Sequence, residues 1–343
     1  MSKPEQPSLP SPGRPRPGLG ICLCLVLCLM GLPAAAAPNT PAPAWSELVE
    51  RLRQDGLYSP AVANELAALP QPSPTPMGRK IKELYFSRYV RPTLPPQPKK
   101  PEEYLYRGVV APENASACRA FIKAHKAAFR NAESVYGVPA DIAAALLFVE
   151  TRLGAAPGKN NVFRTLAGMA ATRRPEQLTP AGGRIDDQLG LWLDDIQQSP
   201  EKTAWLEETL RKRSDWAYRE LAAFIRYAAQ NGLDPFHVPG SVYGAFGICQ
   251  FMPSSVAAYA ADGDGDGVID LFSPEDALAS LASYLAKNGW RLGISRHARH
   301  AALRRYNRAD VYANTILALA DMIRGAPVGK PIVTARSRKK KAE

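Results

Sequence analysis

The sequence predicts a mostly α protein with an EF-hand-like acidic loop and one irregular or β stretch. Apolar residues recur at helical spacing over Cys118–Tyr136, Pro139–Leu153, Trp205–Asn231 and Arg304–Gly325. Helix punctuation accompanies the pattern, with Gly137 closing one run and Pro139 suited to the first position of the next. With 46% apolar residues over 343 positions the chain can bury a sizeable core.

Residues 1–37 stand apart from that core. Lys3, Arg14 and Arg16 precede the apolar run Leu19–Leu32, which Pro33 and the small residues Ala34–Ala37 follow. A basic n-region, a short apolar h-region and an A-x-A site describe a cleaved signal peptide, with cutting near Ala36 or Ala37 and export to the periplasm. The run is short for a membrane span, and Cys22, Cys24 and Cys28 lack a lipobox, so membrane anchoring is the weaker reading. Cleavage leaves Cys118 and Cys249, which permit one disulfide; a buried free thiol at Cys249 is the favoured alternative. The chain carries a net charge of +11, and residues 1–37 hold three basic residues against one acid, so the remainder stays basic. That balance suits an anionic polymer; the export signal and the scatter of the basic residues argue against nucleic acid.

Residues 38–104 form an N-terminal segment. Trp45–Leu69 reads as two short helices broken at Gly56 and Ser59-Pro60, and Pro70–Pro76 and Pro92–Pro101 read as extended connectors. Residues 105–325 hold the main body. There Ile142, Leu146, Val149 and Leu153 form a stripe at i, i+4, i+7 and i+11, and Asp141 suits the positive end of the helix dipole. Glu150 falls about 80° from Ile142 on this helix, so a carboxylate is set into an apolar surface. Its pKa should therefore be raised. From Gly158 to about Pro200 periodicity is weak, and LGLWLDDI within it is a short helix or a strand. Residues 326–343 form a tail whose run Arg336–Lys341 reads as a solvated charge cluster.

Two stretches carry candidate chemistry besides Glu150. In GSVYGAFGICQFMPS, Gly240 to Ser254, Ser241 and Gln250 supply polar groups that can orient a ligand, and the glycines allow backbone to approach closely. Phe251 and Met252 read as core. Next come Asp262, Asp264 and Asp266 at positions 1, 3 and 5 of an EF-hand-like loop, with Gly267 at 6 and the Val268 carbonyl at 7. Hard oxygens on a flexible loop suit Ca²⁺ better than Mg²⁺, in a structural role. Position 12 departs, being Ser273 where a bidentate Glu is usual. A metal-free Asp-Gly turn is the plainer alternative, and no organic cofactor is indicated.

These motifs, with YGVPADIAAALLFVETRLG (Tyr136–Gly154), LASYLAKNGW (ending at Trp290) and RYNRADVY (ending at Tyr312), closely resemble the lytic murein transglycosylase B family from about Trp45 to Gly325. The resemblance implies a lysozyme-like helical core with a flanking helical domain, and makes 172–201 an insertion. It implies an enzyme that cleaves the MurNAc-GlcNAc β-1,4 bond of peptidoglycan glycan strands and leaves 1,6-anhydro-MurNAc ends. Glu150 would act as acid and then as base, and Asp141, about 180° around the helix, cannot be a second carboxylate. It also makes Ser241, Gln250, Tyr306 and Asn307 substrate-facing and Asp276 the last metal ligand. Tyr243 stands one place from the family's aromatic, and Ala309 replaces a usual Ser. A hydrolytic muramidase and a non-catalytic peptidoglycan-binding scaffold are the rival readings; other cell-wall proteins are conceivable partners.

Overall fold

The computed structural model describes residues 40–93, 101–178 and 193–334. The expected signal peptide, the run Arg336–Lys341 and the middle of the 172–201 stretch lie outside the described residues.

Two N-terminal helices form as expected, α1 (Ser46–Gln54) and α2 (Pro60–Ala67). Ser59 caps α2, its Oγ accepting from the Val62 amide at 3.2 Å. A third helix, α3 (Thr75–Tyr85), begins inside the stretch expected to be extended. Pro76 sits in its first turn, where no amide donor is needed, and Met77, Ile81 and Tyr85 bury one face. These helices share a continuous core with the main body, running from Trp45 to Ile323.

The run expected as one helix to Tyr136 is two, α4 (Pro112–Ala124) and α5 (Lys126–Tyr136), parted at His125. The His125 ring lies 3.2 Å from Glu275 Oε1 and 4.5 Å from the centre of the Phe121 ring. Gly137, at φ +69°, closes α5. In α6 (Ala140–Thr151) Pro139 is the cap rather than the first helical residue. Every residue from Asp141 to Phe148 is buried, so the apolar surface is no mere stripe. Neighbouring helices pack around the middle of α6, and Val149 and Glu150 in its last turn are half-buried.

α7 (Val162–Ala171) packs along α8 (Pro200–Gln230), which starts five residues before the expected Trp205. Within 172–201 the described residues form a 3-10 turn, Pro175–Leu178, and a helical turn at 193–197. The only strands among the described residues lie elsewhere: β1 (Asn160–Asn161) pairs antiparallel with β2 (Pro239–Gly240). α9 (Pro253–Tyr259), α10 (Pro274–Lys287), α11 (Arg296–Tyr306) and α12 (Asp310–Ile323) complete the body. The single helix expected over Arg304–Gly325 is thus two, broken where Asn307 turns extended and Arg304 reaches Asp310 at 2.9 Å. The start of the C-terminal tail is docked rather than free. Asn314 exchanges hydrogen bonds of 2.9 and 2.8 Å with the Ile332 backbone, and Thr334 N donates to Asp310 at 3.1 Å.

Candidate active site

α6 delivers Glu150 to the surface of the body at the helix's last turn. The side chain is half-buried, and its carboxyl is closely hemmed in by protein. Tyr312 Oη, from α12, donates to Glu150 Oε1 at 2.5 Å. Burial pushes the Glu150 carboxyl up to about 7, against the Tyr312 hydrogen bond, which favours the charged form. Desolvation wins because no cation offsets it: among the described residues Glu150 has no ion pair, and the Arg152 guanidinium lies 5.4 Å over the Phe148 ring instead. Asp141 is equally out of play, paired with Arg324. The Tyr312 ring stacks at 6.3 Å on Tyr306, whose hydroxyl donates to the Cys249 carbonyl.

After Glu150 the chain turns sharply through Arg152 and Leu153, at φ +51° and +62°. Left-handed residues with side chains cost about 1–3 kcal/mol each unless their surroundings hold them. Here Thr151 does so, its Oγ1 donating to Ile248 O at 2.8 Å and accepting from Gly154 N at 2.9 Å. The Glu150 turn is thereby stapled to the Gly-rich segment. Gln250, next to Cys249, sits at φ +52°, and its Nε2 donates at 3.0 Å to both Pro157 O and Gly247 O. Its amide oxygen has no hydrogen bond to protein among the described residues.

The other expected sugar contacts diverge. Ser241 Oγ accepts from Tyr243 N and Ala245 N at 3.3 and 3.0 Å, shaping its own loop. Tyr243 Oη donates to Glu83 Oε1 at 2.6 Å and Lys80 lies 4.7 Å over its ring, so this aromatic docks on α3. Asn307 is exposed, its Oδ1 accepting from Ala309 N at 3.3 Å. Phe251 is buried and Met252 half-buried. Cys118 and Cys249 are free, buried thiols.

In the acidic loop, carboxylate oxygens of Asp262, Asp264 and Asp276 lie within 4.8 Å of one another. Asp276 is buried, accepting from Gly263 N and Asp270 N at 2.7 Å each. Burial first, then Asp264 and Asp262, raise its pKa. Asp262 accepts from Gly265 N and Gly267 N at 2.6 and 2.8 Å. Asp266 stands outside this group, its Oδ1 accepting from the Val268 amide at 2.7 Å. That bond uses the amide of Val268, and the Val268 side chain is exposed.

Residues 42–300 match the family described as the transglycosylase SLT domain. The chain belongs to that family. It is 30% identical over 184 residues to the membrane-bound lytic murein transglycosylase B of Escherichia coli, a match that covers 54% of this chain and only 41% of that relative. The fold is similar to the lytic transglycosylase Slt35 of E. coli, solved with bulgecin A (TM-score 0.62, 19% identity, 86% of this chain and 98% of that one). Slt35 solved with calcium gives a TM-score of 0.59 at the same identity and coverage. SltB3 of Pseudomonas aeruginosa, in complex with NAG-anhNAM-pentapeptide, gives 0.60 at 21% identity, over 85% of this chain and 83% of that one. This transglycosylase SLT domain protein thus has the helical, lysozyme-like fold its sequence predicts.

Two tyrosines that the sequence reading did not assign to the site adjoin Glu150. Tyr312 lies in the RYNRADVY element, three helical residues into α12, where its link to Glu150 needed the fold. Tyr106 comes from an irregular segment with no periodic signal. Its amide donates to Thr315 Oγ1 at 2.8 Å, and burial, then the Glu150 charge, raise its pKa. Gly247 shows what the loop tolerates. It sits at φ +76°, and an added methyl would collide with Leu271. Gly247→Ala should therefore destabilise the protein by about 2 kcal/mol, read from its denaturant midpoint. An unchanged midpoint would show that the loop yields freely.

Proposed function

We propose that this protein is a lytic transglycosylase of peptidoglycan, with Glu150 as its one acid and base. The observation that carries the reading is a half-buried carboxyl on an apolar helix end, without an ion pair, held through Oε1 by Tyr312 while Oε2 has no protein hydrogen bond among the described residues; that setting pushes its pKa up to about 7. A carboxylic acid that keeps its proton near neutrality is the donor that glycosidic cleavage needs. Glu150 gives that proton to the glycosidic oxygen between MurNAc and GlcNAc, and the C1–O bond breaks toward the leaving sugar. The resulting carboxylate removes the proton from the muramyl C6 hydroxyl as its oxygen attacks C1. The 1,6-anhydro ring closes, the proton is back on Glu150, and no water is consumed.

Substrate contacts are assigned to Gln250 and Tyr306, with Ser241 shaping the loop that carries them and Tyr243 and Asn307 at the margins of the cleft. The donor set of Asp262, Asp264 and Asp276 fits a hard divalent cation, and we assign it calcium, which would hold the loop closed beside the cleft. Export through cleavage near Ala37 puts the protein in the periplasm with its substrate.

The acid role has a signed pH dependence. Glu150 must be protonated to act, so kcat/KM on purified sacculi should be level below pH 6 and fall tenfold per unit well above a midpoint of about 7. A basic limb with a midpoint near 4.5, the ordinary glutamate value, would mean that Glu150 is not the donor.

A further inference from the structure

A recess of about 550 Å³ opens between α3, the turn Phe86–Val90 that follows it, and the stretch Trp205–Arg219 of α8. None of its lining residues belongs to the Glu150 site. Trp205 and Trp216 form its walls, and Arg88, Lys212, Arg213 and Arg219 surround them. On α8 these residues fall at helical spacing, so one face of the helix presents them together. The Trp205 ring is held edge-on to Tyr89 at 5.4 Å and lies 6.3 Å from Tyr85, which orients it in advance of any ligand.

The recess keeps an excess of positive charge, four basic side chains lining it and no acid among its lining residues. Lys212 pairs with Glu208 at 2.6 Å, and Arg88, 5.3 Å over the Tyr89 ring, and Arg219 feel the charges of Glu208 and Asp215 only at longer range, so that none of Arg88, Arg213 and Arg219 has a direct ion pair among the described residues. The nearby Asp215 is engaged by Arg173 and Arg51, at 2.6 and 3.2 Å. Indole faces pack well against the C–H face of a sugar ring, and guanidinium groups bind carboxylates in a planar fork. The combination selects a carboxylate-bearing glycan over a neutral one.

Its position relative to the cleft is set by α3. Lys80 and Glu83 engage Tyr243 of the Gly-rich segment, and Ser87, one turn beyond Glu83, lines the recess. We propose that this recess is a second binding site for the glycan strand and its peptide carboxylates, reached by the strand as it passes Tyr243 out of the cleft. The proposal rests on the peptidoglycan reading above. It makes the enzyme hold polymer at a distance from the bond it cuts.

The test uses purified sacculi, Glu150→Gln protein for binding and the active enzyme for turnover. Trp216→Ala, and separately Arg88→Ser with Arg213→Ser, should weaken sacculus binding by about tenfold each, as loss of an anchoring Trp or Arg does. Turnover of a short soluble glycan fragment should stay within about twofold, because such a fragment does not reach the recess. Blocking sacculus carboxylates as amides should erase the effect of the double arginine variant. Unchanged sacculus affinity in folded variants overturns the proposal. So does a loss confined to phosphatidylglycerol vesicles, which would make the recess a membrane contact. If the wild type cleaves neither substrate while the variants still lose sacculus binding, the recess stands and the transglycosylase reading falls.

Discussion

Glu150→Gln lowers turnover of sacculi by at least about a thousandfold, since one group supplies both proton transfers and Gln can supply neither. Tyr312 can still donate to the amide oxygen, so the local packing survives. The same substitution should not destabilise the protein at pH 8. A glutamate whose pKa rises on folding contributes stability that is complete below its unfolded pKa and is lost as pH climbs through the folded value. Between 4.5 and about 7 that loss is on the order of 3 kcal/mol, an upper bound for a half-buried group. The variant, carrying no charge, escapes it, so its Tm should match or exceed that of the wild type above pH 7. A variant that loses activity and also unfolds at lower temperature would make Glu150 structural.

Calcium should raise the Tm. A ligand that binds only the folded state adds about 2.7 kcal/mol at a hundredfold excess over Kd, worth roughly 5 °C in a chain of this size. The three converging carboxylates repel one another, and the buried Asp276 bears that repulsion in a poorly solvated place. Asp262→Asn with Asp264→Asn keeps side-chain oxygens for the loop amides but removes the charge that attracts the ion. The calcium response should vanish in that variant while the metal-free Tm holds or rises. A melting curve indifferent to both millimolar calcium and chelator would leave a metal-free turn, held by its own amide hydrogen bonds.

Glu150 and its helix were legible because their signals are local: Gly137 and the proline before α6 mark its start, and a lone acid among apolar residues marks the site. The helix breaks at His125 and at Asn307–Ala309 were not, since the apolar rhythm runs on across both. Tertiary contacts decide them, His125 on Glu275 and Arg304 on Asp310. Tyr106 was invisible for a related reason. It reaches the site from an aperiodic segment that is tied to Thr315, 209 residues later. Asp266 differs from its neighbours in the loop: the spacing that groups Asp262 and Asp264 with Asp276 leaves it outside, its Oδ1 on the Val268 amide.

The most direct test of single-carboxylate, water-free cleavage is the chemistry of the new sugar ends. Sacculi digested in H₂¹⁸O should yield muropeptides that end in 1,6-anhydro-MurNAc, about 18 mass units lighter than the reducing sugar and free of ¹⁸O, because the C6 oxygen and not water attacks C1. Reducing MurNAc ends carrying ¹⁸O would contradict the account and make the enzyme a hydrolytic muramidase.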